Sequence, residues 1–169
     1  MPTSAGVIRN PIGANMSLRT GAALAAGGFD GAIGRVVGQP RGCEETELAI
    51  RLTATTPGAV VLYVPSAAVD HQVGADRLTV RYLLRRCWHE GQSKAAVVGL
   101  VGASSGLARE RRQITHVIPA AIARDLGSLV KGHGYGAARI AVSLSGLTAS
   151  VAGYVAGRLR AAGSASSPR

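Results

Sequence analysis

Aromatic side chains are scarce in this chain of 169 residues: they make up 4% of it, with a single Trp and a single Phe. Any core is therefore assembled from Ala, Val, Leu and Ile, for which there is ample material, since 47% of residues are apolar. Acidic residues are also few, nine against 19 basic ones, and the formal charge is +10. Lysine is nearly missing. Only Lys94 and Lys131 occur, and every other basic residue is arginine, whose planar fork binds phosphate by shape as well as by charge. Such a balance points to polyanionic partners: nucleic acid, an anionic membrane surface, or a diphosphate-bearing substrate. Nucleic acid is disfavoured, because aromatic and basic residues do not interleave, zinc-finger spacing is missing, and the arginines are scattered instead of forming an arm. Cys43 and Cys87 are too few and too far apart for a disulfide framework or a zinc site, and read as free thiols of a reducing cytosol. No basic stretch followed by an apolar run opens the chain, so a secretory signal is not expected and a cytoplasmic protein is.

The length corresponds to one domain, with room for an appendage. Residues 1–14, punctuated by Gly and Pro, read as an extended lead-in. Thr20 is expected to cap a short helix over Gly21–Ala26 that Gly27-Gly28 stops, and the glycine-rich Asp30–Gly42 to be a loop. Glu44 to about Thr55 reads as a helix. Ala59–Val64, a β-branched apolar run bounded by Pro57-Gly58 and Pro65, reads as a buried strand, with Ala67–His71 a candidate second one. The longest helical pattern runs from Thr79 to about Gly102, with Val80, Leu83, Leu84 and Cys87 on one face and Arg81, Arg85 and Arg86 on the other. Gly102–Gly106 reads as a linker. Leu107–Ile118 and Ala120–Val130 read as two helices divided at Pro119, whose ring excludes an ordinary helical bond. Lys131–Gly136 is expected to be a hinge, Arg139–Arg160 a final helix, and Ala161–Arg169 a disordered tail.

The feature that says most is Glu44-Glu45-Thr46-Glu47, which gathers three of the nine acidic residues into four positions. Carboxylates favour the positive end of a helix dipole, so such a run is by itself a plain helix start. Its surroundings add to that. Asn10-Pro-Ile-Gly-Ala-Asn15-Met16-Ser-Leu-Arg19 lies upstream, followed by Gly27-Gly28-Phe29-Asp30. Gly42-Cys43 stands immediately before the acids, Leu48 to Arg51 after them, then Val60–His71, and then Arg85-Arg86-Cys-Trp88-His-Glu90-Gly91-Gln-Ser-Lys94. In that order and spacing, over about Asn10 to Arg160, these segments resemble the acceptor-side half of family 2 glycosyltransferases of actinobacterial type, enzymes of the GT-A fold.

The resemblance implies an α/β chain: residues 1–75 as a partial, acceptor-half GT-A core with one or two short strands, and 76–132 as a helical extension. Residues 133–160 would form an amphipathic helix, and 161–169 the tail. It further implies an inverting transfer of sugar from a nucleotide-sugar donor to an acceptor hydroxyl. The second acid of the pair, Glu45, would be the base that takes the hydroxyl proton. The family usually carries Asp there, one methylene shorter. Glu44, Glu47 and Asp30 would support the loop or contact the acceptor. His71 would lie near the metal or diphosphate, and Arg81, Arg85 and Arg86 would neutralise the leaving group. The competing readings are a polar surface histidine and a solvated basic helix face. Trp88 would pack, or stack on a sugar. A complete enzyme of this kind uses Mg²⁺ or Mn²⁺ held by an Asp-x-Asp on its nucleotide-binding half. No Asp-x-Asp occurs here and no βαβ series precedes Asn15, so a separate donor-half chain is an expected partner and the chain alone is expected to be inactive.

Ile140 to Gly157 is 18 residues without a charge, between Arg139 and Arg158. That length reaches the minimum for a membrane span, but Ser143, Ser145, Thr148, Ser150 and several glycines argue against one. Ile140, Leu144, Leu147, Val151 and Tyr154 form a stripe that suits a membrane interface first and packing on another helix second. Ala149, Gly153 and Gly157 form a small-residue track suited to close helix contact. Two further function classes stay open: a non-catalytic, membrane-associated adaptor and a basic polyanion-binding protein.

Overall fold

The computed structural model describes residues 3–31, 33–34 and 41–165. The chain is mostly helical, with one two-stranded antiparallel sheet, so the coarse mixed α/β class holds. Strand β1 (Gly6–Ile8) pairs with β2 (Val61–Tyr63) in the register Gly6 to Tyr63, Val7 to Leu62 and Ile8 to Val61. The partner of the apolar run is thus the lead-in. Ala67–His71, the second strand expected from sequence, is irregular and exposed: Pro65 removes a ladder donor, and the segment is held instead by the Ala67 N–H to the Val64 carbonyl and, across the chain, by the Asn15 side-chain amide to the Ala67 carbonyl. Nor is β2 buried on both faces. Val61 and Tyr63 are half-covered, while Val7, Val60, Leu62 and Val64 form an open apolar face.

Helix α1 (Thr20–Ala25) starts one residue early, because Thr20 is already helical and Arg19 occupies the cap without a side-chain bond. Gly27 and Gly28 take positive φ values of 85° and 70°, which glycine adopts without the clash a Cβ brings. The loop expected over Asp30–Gly42 lies in part, at residues 32 and 35–40, outside the described residues. Helix α2 (Glu44–Thr55) has the expected bounds and carries three acids in its first turn.

Helix α3 (Val80–Val101) is capped by Thr79, whose hydroxyl accepts the Tyr82 N–H at 3.1 Å. Its buried side is not the stripe read from sequence. Val80 and Leu83 are exposed, whereas Gly91 to Ala95, Val97 and Val98 are buried. Beyond it, Gly102–Gly106 is not a linker: after Gly102 turns at φ 79°, Ala103–Gly106 makes a single helical turn, α4. Helix α5 (Ala108–Arg112) runs into a π-turn over Gln113–Val117 and then α6 (Ile118–Val130). The backbone stays helical through Val117 and Ile118, so the chain is not divided at Pro119; the π-turn just ahead of it re-spaces the helical bonds where the proline N–H is missing.

Helix α7 (Tyr135–Ala165) begins before Arg139 and extends into the segment expected to be a tail; residues 166–169 lie outside the described residues. Buried Asp125 pins its start, pairing with Arg124 Nε at 3.2 Å and Arg139 Nε at 3.5 Å. Packing along α3 uses the small-residue track. A Cβ on Gly153 would collide with the Trp88 carbonyl, one on Gly157 would lie 2.7 Å from the Ala95 methyl, and one on Gly91 would meet the Ser150 carbonyl and, at 2.7 Å, the Tyr154 nitrogen. The order of these contacts makes the two helices parallel.

Gly91→Ala is accordingly expected to destabilise by about 1–3 kcal/mol, because backbone on the facing helix has to move. Gly99→Ala, in the same helix with nothing within 4 Å of the new Cβ, is expected to stabilise by about 0.5–1 kcal/mol. Urea midpoints of the two variants check this, and shifts of the same sign would contradict the close α3–α7 contact.

Candidate functional site: an acidic and arginine-lined cleft

Cys43 begins the site. It stands before α2 at φ 78°, a left-handed conformation rare for a residue with a Cβ, and its carbonyl accepts the Glu47 N–H at 2.9 Å. Helix α3 holds it there. The thiol donates to Glu90 Oε1 at 3.1 Å, the Gly42 N–H donates to Ser93 Oγ at 3.3 Å, and Arg86 Nη1 donates to the Arg41 carbonyl at 3.0 Å. Glu90 also pairs with Arg86 at 3.1 Å, and Lys94 bridges Glu90 and Glu110 at 3.9 and 2.8 Å. Burial, reinforced by the neighbouring Glu90 charge, pushes the Cys43 thiol far above its ordinary value. It stays protonated at neutral pH and is a hydrogen-bond donor, not a nucleophile.

With Arg41–Cys43 fixed, the first turn of α2 projects Glu44 and Glu45 into an open cleft of about 560 Å³. Arg41, Arg86 and His71 supply its basic lining, and Met16, Leu18 and Phe29 its apolar lining. Gly13 lies so close to Glu45 that a Cβ there would collide with the carboxylate. Glu44 Oε2, Glu45 Oε2 and Arg41 Nε are shielded from water and have no hydrogen-bond partner among the described residues, which is costly unless something else supplies one.

Four of the residues singled out from sequence therefore come together: Glu44, Glu45, His71 and Arg86. The others do not line the cleft. Arg81 and Arg85 are exposed on α3. Glu47 is buried and engaged in a fork with Arg51, Oε1 to Nε and Oε2 to Nη2 both at 2.7 Å, and Arg51 in turn donates to the Ala26 and Gly28 carbonyls. Glu47 thus anchors the turn before Phe29. Asp30 accepts the Ile33 N–H at 3.1 Å through its backbone and adds favourable charge near Arg51. Trp88 is half-buried against α7, away from the cleft lining.

Sequence reasoning missed Arg41 and Gly13. Both stand inside or beside quoted motifs, Arg41 directly ahead of Gly42-Cys43 and Gly13 within Asn10–Asn15, and that adjacency was the available signal. Among the described residues, no group of three or more His, Cys, Asp or Glu is placed to hold a metal ion. No family model, curated protein or solved structure matches the chain.

Proposed function

We propose that the cleft binds the acceptor of a sugar-transfer reaction and that Glu45 is its general base. The observation that carries the reading is the pair of partly desolvated carboxylates, Glu44 and Glu45, facing the same cavity as two arginines. The acceptor hydroxyl attacks the anomeric carbon of a nucleotide-sugar; the new C–O bond forms as the bond to the diphosphate breaks. The hydroxyl proton passes to Glu45, and the electron pair leaves with the diphosphate. A base with a free, water-shielded oxygen suits the first event. Arg41 and Arg86, the latter already held by Glu90 and the Arg41 carbonyl, offer fixed positive charge for the second. Phe29, half-exposed at the cleft, offers an apolar face against which a sugar ring stacks.

The order of motifs that resembles family 2 glycosyltransferases supports the same class, with the GT-A core completed by a nucleotide-binding half. The bare apolar face of the β1–β2 sheet is the kind of surface such a half would cover. The described residues do not fit a divalent metal site, so in this reading Mg²⁺ or Mn²⁺ would be held by the donor half. Free Cys43 and Cys87 accord with a cytoplasmic location on the inner side of the plasma membrane.

Co-expression with an Asp-x-Asp-bearing donor half tests the proposal. Transfer from a nucleotide-sugar, together with saturation-transfer NMR contacts between a glycan acceptor and Phe29, is the expected result. Glycan binding without transfer would favour the adaptor reading, and neither binding nor transfer would remove both.

A further inference from the structure

Helix α7 has an outer face that none of the described residues covers. Over Tyr135–Gly163 it is long and apolar enough to cross a membrane by length and composition, yet only 11% of its most apolar window is buried. At about 100° per residue, the residues touching α3, among them Ser150, Gly153 and Gly157, share one side. Leu144, Val155 and Leu159 fall on the opposite side and Val151 at its margin, all of them 45–68% exposed. The small residues have been used for the protein contact and the large ones turned outward, the reverse of a soluble core helix. Basic charge borders the stripe: Arg158 lies at its edge beside Val151, and α7 contains no Asp or Glu, whereas Arg139 lies on the α3 side and is held by Asp125.

We propose that this outward face rests on an anionic lipid surface, with α7 lying flat along it. A lipid headgroup layer fits better than a second copy of the chain, because each copy carries +10 and pairing the stripes would bring Arg158 side chains together without a carboxylate between them. Lying flat fits better than spanning. Helix α3 runs beside α7 with Arg85, Arg86, His89, Glu90 and Lys94, and a spanning α7 would draw those groups into hydrocarbon. Flat on the surface, α7 separates α3 from the lipid, its leucines and valines enter the acyl boundary, and Arg158 reaches back to the phosphates. This inference is independent of sugar transfer.

Flotation of the purified full chain with vesicles of phosphatidylcholine and phosphatidylglycerol (about 7:3, a composition chosen for its negative surface potential) tests it. The expected result is co-flotation that falls at least tenfold on pure phosphatidylcholine. Leu144→Gln/Val151→Gln, two exposed positions whose change leaves the fold intact by circular dichroism, should weaken binding at least tenfold, and Arg158→Gln about fivefold. Glu45→Gln should float like the wild type, so a failure of the catalytic reading leaves this result untouched. Unchanged binding of the double Gln variant would overturn the proposal. So would equal affinity for neutral vesicles, a vesicle-free dimer abolished by the same substitutions, or retention in the membrane after alkaline carbonate, which would indicate a span.

Discussion

Glu45→Gln is expected to lower the turnover of sugar transfer, measured with the donor half present, by about 10²–10⁴-fold while leaving the acceptor KM nearly unchanged. The amide keeps the shape of the side chain and its place in the cleft but has no basicity with which to accept the hydroxyl proton. The effect on folding is small, since the charge contributes only about 0.3–1 kcal/mol at a helix start already carrying Glu44 and Glu47. Gly13→Ala is expected to fall between the wild type and Glu45→Gln: its Cβ meets the Glu45 carboxylate and forces it aside, and a displacement of roughly 1 Å is enough to cost about 10²-fold in rate. Cys43→Ser should retain activity, because the protonated thiol serves only as a donor to Glu90. Turnover of Glu45→Gln within twofold of the wild type would end the assignment of the base.

The largest loss of stability is expected from Arg51→Leu. Glu47 is 2% exposed and its carboxylate is held by the Arg51 fork, so removing the arginine leaves a buried charge without a partner. Breaking such a pair from one side costs about 3–5 kcal/mol, a large fraction of the total stability of a domain. It also frees the Ala26 and Gly28 carbonyls and with them the turn that presents Phe29. Glu47→Gln, which retains hydrogen-bonding capacity, should cost less. The double variant Glu47→Leu/Arg51→Leu should recover part of the loss, because neither charge is then stranded. Denaturant midpoints arranged as a double-mutant cycle measure this. A loss below about 1 kcal/mol for Arg51→Leu would mean that water screens the pair despite its burial.

Much of this was legible in the chain because it is governed by neighbours in sequence. The start of α2 follows from acids meeting a helix dipole, the turn after α1 from two glycines, and the extent of α3 from the helical pattern that opens at Thr79, whereas the cap expected of Thr20 falls on Arg19. The close contact along Gly153 and Gly157 was signalled by their spacing, since two helices approach only where side chains are missing. Pro119 misled, because the π-turn immediately before it lets the helical backbone continue past the missing N–H.

What tertiary structure alone decided is which distant groups meet. The pairing of Gly6–Ile8 with Val61–Tyr63 joins segments more than fifty residues apart, and no local propensity selects a three-residue strand. Glu44, Glu45 and Glu47 are nearly indistinguishable as text. The helical rotation and the position of Arg51 send the third inward to an ion pair and leave the first two facing the cleft. Arg41 and Arg86 reach that cleft because α3 binds the Arg41–Cys43 segment, a contact between residues about 45–50 positions apart. The sequence determined by itself that an acidic helix start, an arginine-rich helix and a small-faced apolar helix would exist. Their mutual placement depends on burial and long-range hydrogen bonding, energies that arise only once the chain has closed on itself.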